Sequence, residues 1–203
     1  MLDKSIPYHT VIMTRPEILK LPPTPELPEG FSYAFYAPGD DRHWAFLETS
    51  VDEFGSEENA LQYFTETFAP QPKKLAERMV FIKDPAGAAV ATATAWFGQS
   101  NGETFAQLHW VSVHPGFQRK GFGRAAILKA LSIYPKIGPS GEVWLSTQTW
   151  SHPAIDLYLS LGFAARKTAS MPRNQNDFEK AANVLLHVMR PKAYAKLMLT
   201  ARE

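Results

Sequence analysis

A short glycine-rich stretch constrains this chain more than any other feature. Residues 118–123 have the sequence Q-R-K-G-F-G; an apolar run ends before them near Val113, and a helix-like pattern starts after them near Arg124. Glycines leave backbone N–H groups exposed, and a helix N-terminus adds positive potential, so the combination forms an anion site. The stretch therefore predicts a phosphorylated ligand. Taken alone, it fits an ordinary strand-to-helix turn with a solvated basic pair equally well.

The loop matches neither of two common phosphate-binding patterns, so its neighbours carry more information. The spacing G-x-x-x-x-G-K-[ST] is absent, and the nearest approach to G-x-G-x-x-G puts Ala126 at the third glycine. A strand over about 103–113, a helix over about 123–134 and a strand over about 142–149 predict a right-handed crossover, which makes the two strands parallel. A ligand is then expected at their carboxyl ends.

Apolar and turn patterns elsewhere predict further strands and helices. Before the loop, strands are expected over about 31–36, 78–83 and 88–97. One helix is expected from a cap at Asp40 or Asp41 to about 51. A second is expected from a cap at Ser56 to about 68, and Pro70 and Pro72 end it. After the loop, the expected elements are a helix from Pro153 to Gly162, a last strand pair over 163–169 and 184–188, and a helix opened by Pro191. Turns are expected over 98–102 and 138–141.

These elements define a fold class. An antiparallel meander that leads into the crossover gives an α/β (α+β) chain, with a mixed, mostly antiparallel sheet, a central parallel strand pair and flanking helices. Residues 1–30 are expected to form an N-terminal arm with a proline-rich linker over 22–28, and residues 8–14 an edge strand or part of that arm. With 203 residues, the chain is expected to be one domain, 1–203.

Composition excludes several classes of function. The chain has no cysteine, which rules out disulfides, thiolate zinc sites and a cysteine nucleophile. Lys and Arg number 21 and Asp and Glu 20, so the charge balance gives no reason to expect nucleic acid or an acidic membrane surface as a partner. The first residues match neither a signal peptide nor a membrane span. We therefore expect a cytoplasmic protein without a metal, as a monomer or homodimer.

Polar residues on the strand before the loop are candidates for chemistry. Strict alternation places Phe105, Gln107, His109, Val111 and Val113 on one face. Two polar side chains two residues apart favour a face that meets a wet cleft over a pair of satisfied buried polar groups. With a reference pKa of about 6.5, His109 is able to take a proton from an amine at neutral pH.

Tyr158 is a second candidate, on the predicted helix after Pro153. It shares a stripe with Ala154, Leu157 and Leu161. Such a stripe favours a core aromatic, whereas the alternative directs the tyrosine hydroxyl at a reactive atom of the ligand.

Two segments of the chain resemble the GNAT superfamily of N-acetyltransferases. Gln118, Gly121 and Gly123 match its acyl-CoA-binding pattern [R/Q]-x-x-G-x-[G/A], after a strand that ends in V-H-P. Further on, the A-x-x-L-Y-x-x-x-G-F run over residues 154–163 resembles its second motif. The resemblance implies the acyl-CoA N-acyltransferase fold, with the cofactor between two splayed parallel strands, here those that contain Val111 and Leu145.

The resemblance also implies which residues hold acetyl-CoA. Backbone N–H groups from Arg119 to Arg124 would hold the pyrophosphate, with basic side chains beside it, and the strand backbone would pair with the pantetheine arm. The implied cofactor-binding residues are Val111, Ser112, Val113, Gln118, Arg119, Lys120, Gly121, Phe122, Gly123, Arg124, Ser151 and Tyr158. Ser151 stands where the second motif often has asparagine, and can cap a helix or bond the cofactor.

The implied reaction is direct attack of an amine on the acetyl thioester in a ternary complex. Tyr158 would protonate the leaving thiolate, and His109, on a strand that resembles that of arylalkylamine acetyltransferases, would be the base. Gln107 stands where those enzymes have another histidine and cannot act as a base. The glutamate that many members carry on this strand is absent, which weakens an analogy with histone-type members.

The acceptor is expected to be a small-molecule amine. Trp44, Glu48, Asp52, Glu53 and Phe54 lie where the superfamily builds acceptor pockets, and together with Gln107 they would suit a cationic or aromatic amine. A solvated helix face with core aromatics fits them as well. Two alternatives stay open: a non-catalytic acyl-CoA-binding regulatory module, and an acetyltransferase that acts on a protein or peptide amine.

Overall fold

The computed structural model describes residues 2–16, 21–100, 102–138 and 141–203. Its seven strands are hydrogen-bonded in the order β2-β3-β4-β5-β6-β1-β7. The strands are β1 Thr10–Arg15, β2 Ser32–Phe35, β3 Met79–Lys83, β4 Ala89–Ser100, β5 Glu103–Val113, β6 Val143–Gln148 and β7 Ala164–Ala165. The helices are α1 Asp40–Ser50, α2 Glu57–Thr67, α3 Pro72–Arg78, α4 Phe122–Leu131, α5 Tyr134–Ile137, α6 His152–Ser160, α7 Phe178–Val188 and α8 Pro191–Thr200. The predicted mixed sheet with flanking helices is confirmed.

The chain divides into two compact units. The first contains described residues 21–96 and 108–137, and the second contains described residues within 2–19, 97–107 and 138–203. Strands β4 and β5 contribute residues to both. The expectation of a single domain with an arm over 1–30 stays a prediction, and residues 1 and 17–20 of that arm lie outside the described residues, as do 101, 139 and 140 of the predicted turns.

The first unit contains an aromatic core under its antiparallel strands. β3 pairs antiparallel with both β2 and β4. Trp44 of α1 is fully buried, and Ala60 and Phe64 of α2, one turn apart, face the same core. Helices with this i, i+4 pattern bury one apolar stripe, which fixes α1 and α2 against the sheet.

Two details of the helices in this unit differ from expectation. The prediction that Asp40 or Asp41 caps α1 is wrong, because Gly39 occupies the N-cap position with φ +99°. Asp40 is buried and accepts hydrogen bonds from the Ala37 N–H at 2.9 Å and from Lys83 Nζ at 2.8 Å. Burial opposes ionisation of Asp40, but its hydrogen bonds outweigh that effect and lower the pKa of the carboxyl.

The predicted cap of the second helix is confirmed, but a helix after it was missed. Ser56 Oγ accepts from the Asn59 N–H at 3.2 Å and starts α2. The chain forms α3 directly afterwards, with Pro72 in its first turn. Proline fits that position because the first N–H groups of a helix have no partner within it. Pro72 therefore begins a helix in addition to following one.

The second unit contains the parallel strand pair. β5 pairs with β6 in parallel, with Ala106 opposite Val143 and Gln107 opposite Trp144. β1 lies between β6 and β7 and is antiparallel to both. The prediction of an edge strand within residues 8–14 is therefore wrong; every residue of β1 is buried, as expected of a strand with neighbours on both sides.

The last predicted strand pair is wrong. Residues 184–188 belong to α7, and only Ala164 and Ala165 of the first predicted strand form β7. The buried residues of α7 are Phe178, Ala181, Ala182 and Leu185, which follow the i, i+3, i+4, i+7 spacing of a helix. α8 begins at Pro191 as expected. Among the described helices, none has the length and apolar character needed to cross a membrane.

Residues 3–9 are fastened to the turn that precedes α6. Trp150 Nε1 donates to the Ile6 carbonyl at 2.8 Å, and the Asp3 N–H donates to the Trp150 carbonyl at 2.9 Å. The ring of Tyr8 packs edge-on against Trp150, with 4.9 Å between centroids. Thr149 Oγ1 donates to the Pro7 carbonyl at 2.6 Å. Trp150, whose role the sequence leaves open, therefore anchors this N-terminal segment.

We expect Trp150→Ala to release the N-terminal segment and Trp150→Phe to loosen it. The phenylalanine variant loses one hydrogen bond, at a cost of about 1 kcal/mol, whereas alanine also loses the ring contact. Amide hydrogen exchange at Asp3 and urea unfolding measure both effects. Tyr33→Phe, which removes the Tyr33 hydroxyl bond to the Pro25 carbonyl in the first unit, is the control. Unchanged exchange at Asp3 in Trp150→Ala would contradict this assignment.

Candidate functional site

The glycine loop leaves β5 and enters α4 through left-handed backbone. A 3-10 turn over Pro115–Phe117 follows β5. Arg119 then has φ +63° and Gly121 has φ +90° at the N-cap of α4. A Cβ placed on Gly121 would meet no atom within 4 Å, so the backbone angle favours glycine here and the surrounding space is open.

Side chains of the loop fix its shape. Gln118 Nε2 donates to the Val113 carbonyl at 3.0 Å, and Lys120 Nζ donates to the Gly116 carbonyl at 2.9 Å. His114 Nδ1 accepts from the Gly116 N–H at 3.2 Å. Gln118 therefore ties the loop to the end of β5 and keeps the start of α4 in place.

The N-terminus of α4 has the features of a phosphate site. No side chain caps the helix, and its first turn contains no acidic residue. Arg119, Lys120 and Arg124 are exposed around it. Backbone N–H groups, the helix dipole and three cations all favour a bound anion, so the residues fit the pyrophosphate of a coenzyme A.

Strand β5 departs from strict alternation at Trp110. This residue has φ +47°, unlike a normal strand residue. As a result, consecutive side chains both contact the aromatic core of the first unit: His109 lies 6.0 Å from Phe68 and Trp110 lies 5.3 Å from Trp44, measured between ring centroids. The predicted separation of His109 and Trp110 onto opposite faces is therefore wrong at this point.

His109 is held in an apolar setting that keeps its ring neutral. Its neighbours include the rings of Phe68 and Trp110. Burial lowers the pKa of His109 to about 4, because the protonated imidazole loses its hydration there. At pH 7 the ring is thus free of charge and can accept a proton, but it is a weak base.

A buried carboxyl lies beside the same strand. Glu48 has no exposed surface, and Ser112 Oγ donates to Glu48 Oε2 at 2.6 Å. Burial raises the pKa of Glu48 to about 8; the bond from Ser112 opposes that rise, and the charge of Glu53 adds to it. Glu48 therefore holds a proton well above the pH at which an exposed glutamate releases it.

The other residues expected to bind the acceptor differ in exposure. Trp44 is entirely within the core, where its ring lies 5.8 Å from that of Phe54. Phe54 is partly buried and stacks on Trp110, while Glu53 is exposed. Gln107 is partly buried in the second unit, in register with Trp144.

The second unit positions Tyr158 and Ser151 on α6. The side chain of Tyr158 is 7% exposed, and its ring packs edge-on against Phe163 with centroids 5.8 Å apart. Ser151 occupies the N-cap position, but its side chain makes no capping hydrogen bond. Its hydroxyl is therefore not engaged in capping, one of the two roles expected from the sequence. Gly162 follows the helix with φ +87°, as expected of a residue that ends one.

Sequence reasoning missed a cavity in the second unit. It has a volume of about 290 Å³ and is lined by Ser100, Glu103, Thr104, Phe105, Trp144, Ser170, Met171 and Pro172. The parallel register of β5 and β6 brings Phe105 near Trp144, with 6.1 Å between ring centroids. Residues 170–172 come from a segment far along the chain, so no local pattern could have indicated this site.

The structure therefore gathers the predicted site residues in two groups. The first unit holds the glycine loop, Val111, Ser112 and Val113 with Glu48, His109 and the aromatic residues Trp44 and Phe54. The second unit holds Gln107, Ser151 and Tyr158.

Comparison with known structures identifies the fold. A GCN5-related N-acetyltransferase from Sphaerobacter thermophilus is similar with a TM-score of 0.57 and 24% identity, over 79% of this chain and 49% of that one. A tandem GNAT protein from the clavulanic acid biosynthesis pathway is similar with a TM-score of 0.54 and 17% identity, over 80% of this chain and 51% of that one. A GCN5-related N-acetyltransferase from Kribbella flavida has a TM-score of 0.50 and 20% identity, over 78% and 55%. The chain thus spans about half the length of these proteins.

Comparison of sequences identifies the family. None of the curated proteins compared with the chain matches it. A model of the acetyltransferase (GNAT) family, in contrast, matches residues 40–163, which include both units' predicted site residues and more than half of the chain. This chain belongs to the GNAT acetyltransferase family.

Proposed function

We propose that this chain is an acetyl-CoA-dependent N-acetyltransferase that acetylates a small-molecule amine. The observation that carries the proposal is the uncapped start of α4, where left-handed residues Arg119 and Gly121 form an open loop beside exposed cations. Such a terminus favours a pyrophosphate. The family match supports the same cofactor, since it covers this loop.

The chain's own residues would hold acetyl-CoA in three ways. The N–H groups from Arg119 to Arg124 bind the pyrophosphate, with help from the side chains of both arginines and Lys120. The backbone of Val111, Ser112 and Val113 pairs with the pantetheine arm as an added strand. Ser151, with no capping bond, offers its hydroxyl to the cofactor. Gln118, Phe122 and Gly123 shape the loop.

Two further residues have proposed roles in the reaction. When bound, acetyl-CoA supplies the acetyl group as a thioester. Tyr158 donates its hydroxyl proton to the departing sulfur, and the contact of its ring with Phe163 holds it in place on α6. His109 is the base expected from the resemblance; its pKa of about 4 keeps it unprotonated at pH 7 and weak as a base.

The acceptor is proposed to be an amine with an aromatic or cationic character. Phe54, partly buried, and Glu53, exposed, lie after α1, close in sequence to Glu48. Aromatic faces and carboxylates both favour a cation. An acceptor amine on a protein or peptide is the competing possibility, and turnover of peptide amines but not of small amines would favour it.

We expect the Arg119→Ala/Lys120→Ala double variant to weaken acetyl-CoA binding by about tenfold or more. Each lost charge-assisted contact costs roughly 1 kcal/mol at an exposed site. Isothermal titration calorimetry and the rise in melting temperature with added acetyl-CoA measure this change. Lys73→Ala removes an exposed lysine of α3 in the same unit and serves as the control. Equal binding by the double variant and the control would count against this cofactor site.

We expect Tyr158→Phe to lower kcat by about 10²–10⁴-fold, because a general acid contributes that much. The phenylalanine ring keeps the contact with Phe163, so the Kd for acetyl-CoA should stay within about twofold. Steady-state kinetics with an amine panel and calorimetry provide the two readouts. Tyr194→Phe on α8 is the matched control. An unchanged kcat in Tyr158→Phe would remove the tyrosine from the mechanism.

Binding of acetyl-CoA without its consumption across that panel would instead favour a regulatory acyl-CoA-binding module. Wild-type protein should therefore be assayed with phenethylamine, tryptamine, spermidine and a lysine-containing peptide by release of free thiol.

A further inference from the structure

A hydroxyl and a carboxyl meet in the interior of the first unit, at the strand segment proposed to hold the cofactor. Ser112 lies between Val111 and Val113 on β5, and Glu48 lies on α1. Ser112 Oγ donates to Glu48 Oε2 at 2.6 Å, and the two residues are 6% and 0% exposed. The bond links an interior carboxyl directly to this strand.

A purely structural role does not account for Glu48. Its second carboxyl oxygen, Oε1, is buried and has no hydrogen-bond partner among the residues that the structure describes. A buried polar atom without a partner costs about 1–3 kcal/mol, and such atoms in native structures call for a functional explanation. An apolar residue of similar size would pack α1 against β5 without leaving a buried polar atom unpaired.

We propose that Ser112 and Glu48 form a proton relay that deprotonates the acceptor amine. The inference rests on the proposed N-acetyltransferase function. In the relay, an ammonium N–H bond breaks and its proton passes to Ser112 Oγ, while the proton of Ser112 passes to the Glu48 carboxylate. Ser112 is unchanged, Glu48 becomes neutral, and the amine nitrogen gains the lone pair it needs to attack the acetyl carbon.

The remaining bonds of the transfer balance without another reactant. As the C–N bond forms, the C–S bond breaks, and the sulfur takes its proton from the Tyr158 hydroxyl. The nitrogen loses its second proton to water as the amide forms, and Tyr158 regains a proton from water. The proton held by Glu48 returns to water, so each turnover releases one proton.

The two candidate proton acceptors on this side of β5 differ in strength. Burial places the pKa of Glu48 at about 8 and that of His109 at about 4. An alkylammonium resembles the lysine side chain, with a pKa of about 10.4. Transfer to Glu48 is therefore much less unfavourable than transfer to His109, although the carboxyl must first be ionised.

The groups packed around Glu48 are mostly uncharged or paired with other residues, so the pH dependence is assigned to the Glu48 carboxyl. Ser112 from β5 donates to it, and the charge of Glu53 after α1 raises its pKa. His109 on β5 is neutral above about pH 4. The residues that α2 buries are Ala60 and Phe64, which carry no charge. At the start of α1, the charge of Asp40 is paired with Lys83 and His43.

The relay predicts a distinctive pH profile for kcat/KM with phenethylamine and saturating acetyl-CoA. In the wild type, kcat/KM should rise about tenfold per pH unit and level off near pH 8, the pKa of the Glu48 carboxyl in the enzyme form that meets the amine. If the titration of the amine alone set the rising limb of the profile, kcat/KM would continue to rise to about pH 10. If His109 set it, kcat/KM would stop rising near pH 4. Either of those limbs in place of the one near pH 8 would overturn the relay.

Matched variants separate the relay from a structural bond. Ser112→Ala and Glu48→Gln should each lower kcat/KM by about 10²–10⁴-fold and abolish the limb near pH 8. Ser112→Thr keeps a hydroxyl and should retain at least about one tenth of the activity together with the limb. Glu58→Gln, an exposed position on α2, is the control. Retention of both rate and limb in Ser112→Ala would overturn the relay.

Stability provides a readout that does not depend on activity. Because the pKa of Glu48 is raised from 4.5 to about 8 on folding, the folded protein keeps a proton that the unfolded chain releases. The resulting stabilisation is complete below about pH 4.5 and is lost as the pH rises to about 8. The melting temperature of the wild type should therefore fall relative to that of Glu48→Gln between pH 5 and pH 8.5. A constant difference would contradict the raised pKa and overturn the relay.

The outcomes distinguish failure of the relay from failure of the proposed function. Wild-type turnover with fully active Ser112→Ala and Glu48→Gln variants rejects the relay and leaves the N-acetyltransferase in place. Acetyl-CoA binding by calorimetry without wild-type turnover of any amine in the panel rejects the enzyme, and the relay with it. Variants that bind acetyl-CoA within about twofold of the wild type but lose turnover support both.

Discussion

The packing of Trp110 into the aromatic core is the constraint on which the candidate site in the first unit depends. Trp110 contacts Trp44, Phe54 and Tyr63, with ring centroids 5.2–5.5 Å apart. To reach them from β5 it adopts φ +47°, a conformation that costs a non-glycine residue about 1–2 kcal/mol. Three aromatic contacts, each contributing about 0.5–1.5 kcal/mol beyond the area they bury, offset that cost. Ser112, two residues further along β5, contacts Glu48 on the same helix α1 that carries Trp44.

Local patterns predicted the elements whose signals lie within one stretch of sequence. The glycine loop, the Ser56 cap and the helix that Pro191 opens each depend on a few adjacent residues, and all three are present. The parallel pairing of β5 and β6 was also predictable, because the chirality of a strand–helix–strand crossover is almost fixed. The structure differs where long-range packing decides. Residues 184–188 have strand-like composition, yet they join Phe178 and Ala181 on one helical stripe.

For the candidate site, the sequence indicates the individual residues but not the contacts between them. The sequence identified Glu48, Ser112 and His109 separately, the first as an acceptor contact, the second as part of the cofactor strand and the third as a base. It could not indicate that Ser112 bonds Glu48, because the two residues are 64 positions apart in the chain and meet only in the folded protein. The pKa values of Glu48 and His109 depend on burial by residues distant in the chain, which no local pattern contains.

Burial shifts the pKa values of the two ionisable groups beside β5 in opposite directions, and both shifts favour the neutral form of the group. It raises the pKa of the Glu48 carboxyl and lowers that of the His109 imidazole, so both groups are mostly neutral at pH 7. The exposed cations lie outside, on the loop at the start of α4. A neutral interior of this kind disfavours an ammonium ion, whose hydration is lost on entry, so loss of its proton to Ser112 is favoured as the nitrogen leaves water. Removal of the proton and entry of the nucleophile are therefore coupled. Of Glu48 and His109, the group whose pKa lies nearer to that of an amine is the carboxyl that Ser112 contacts.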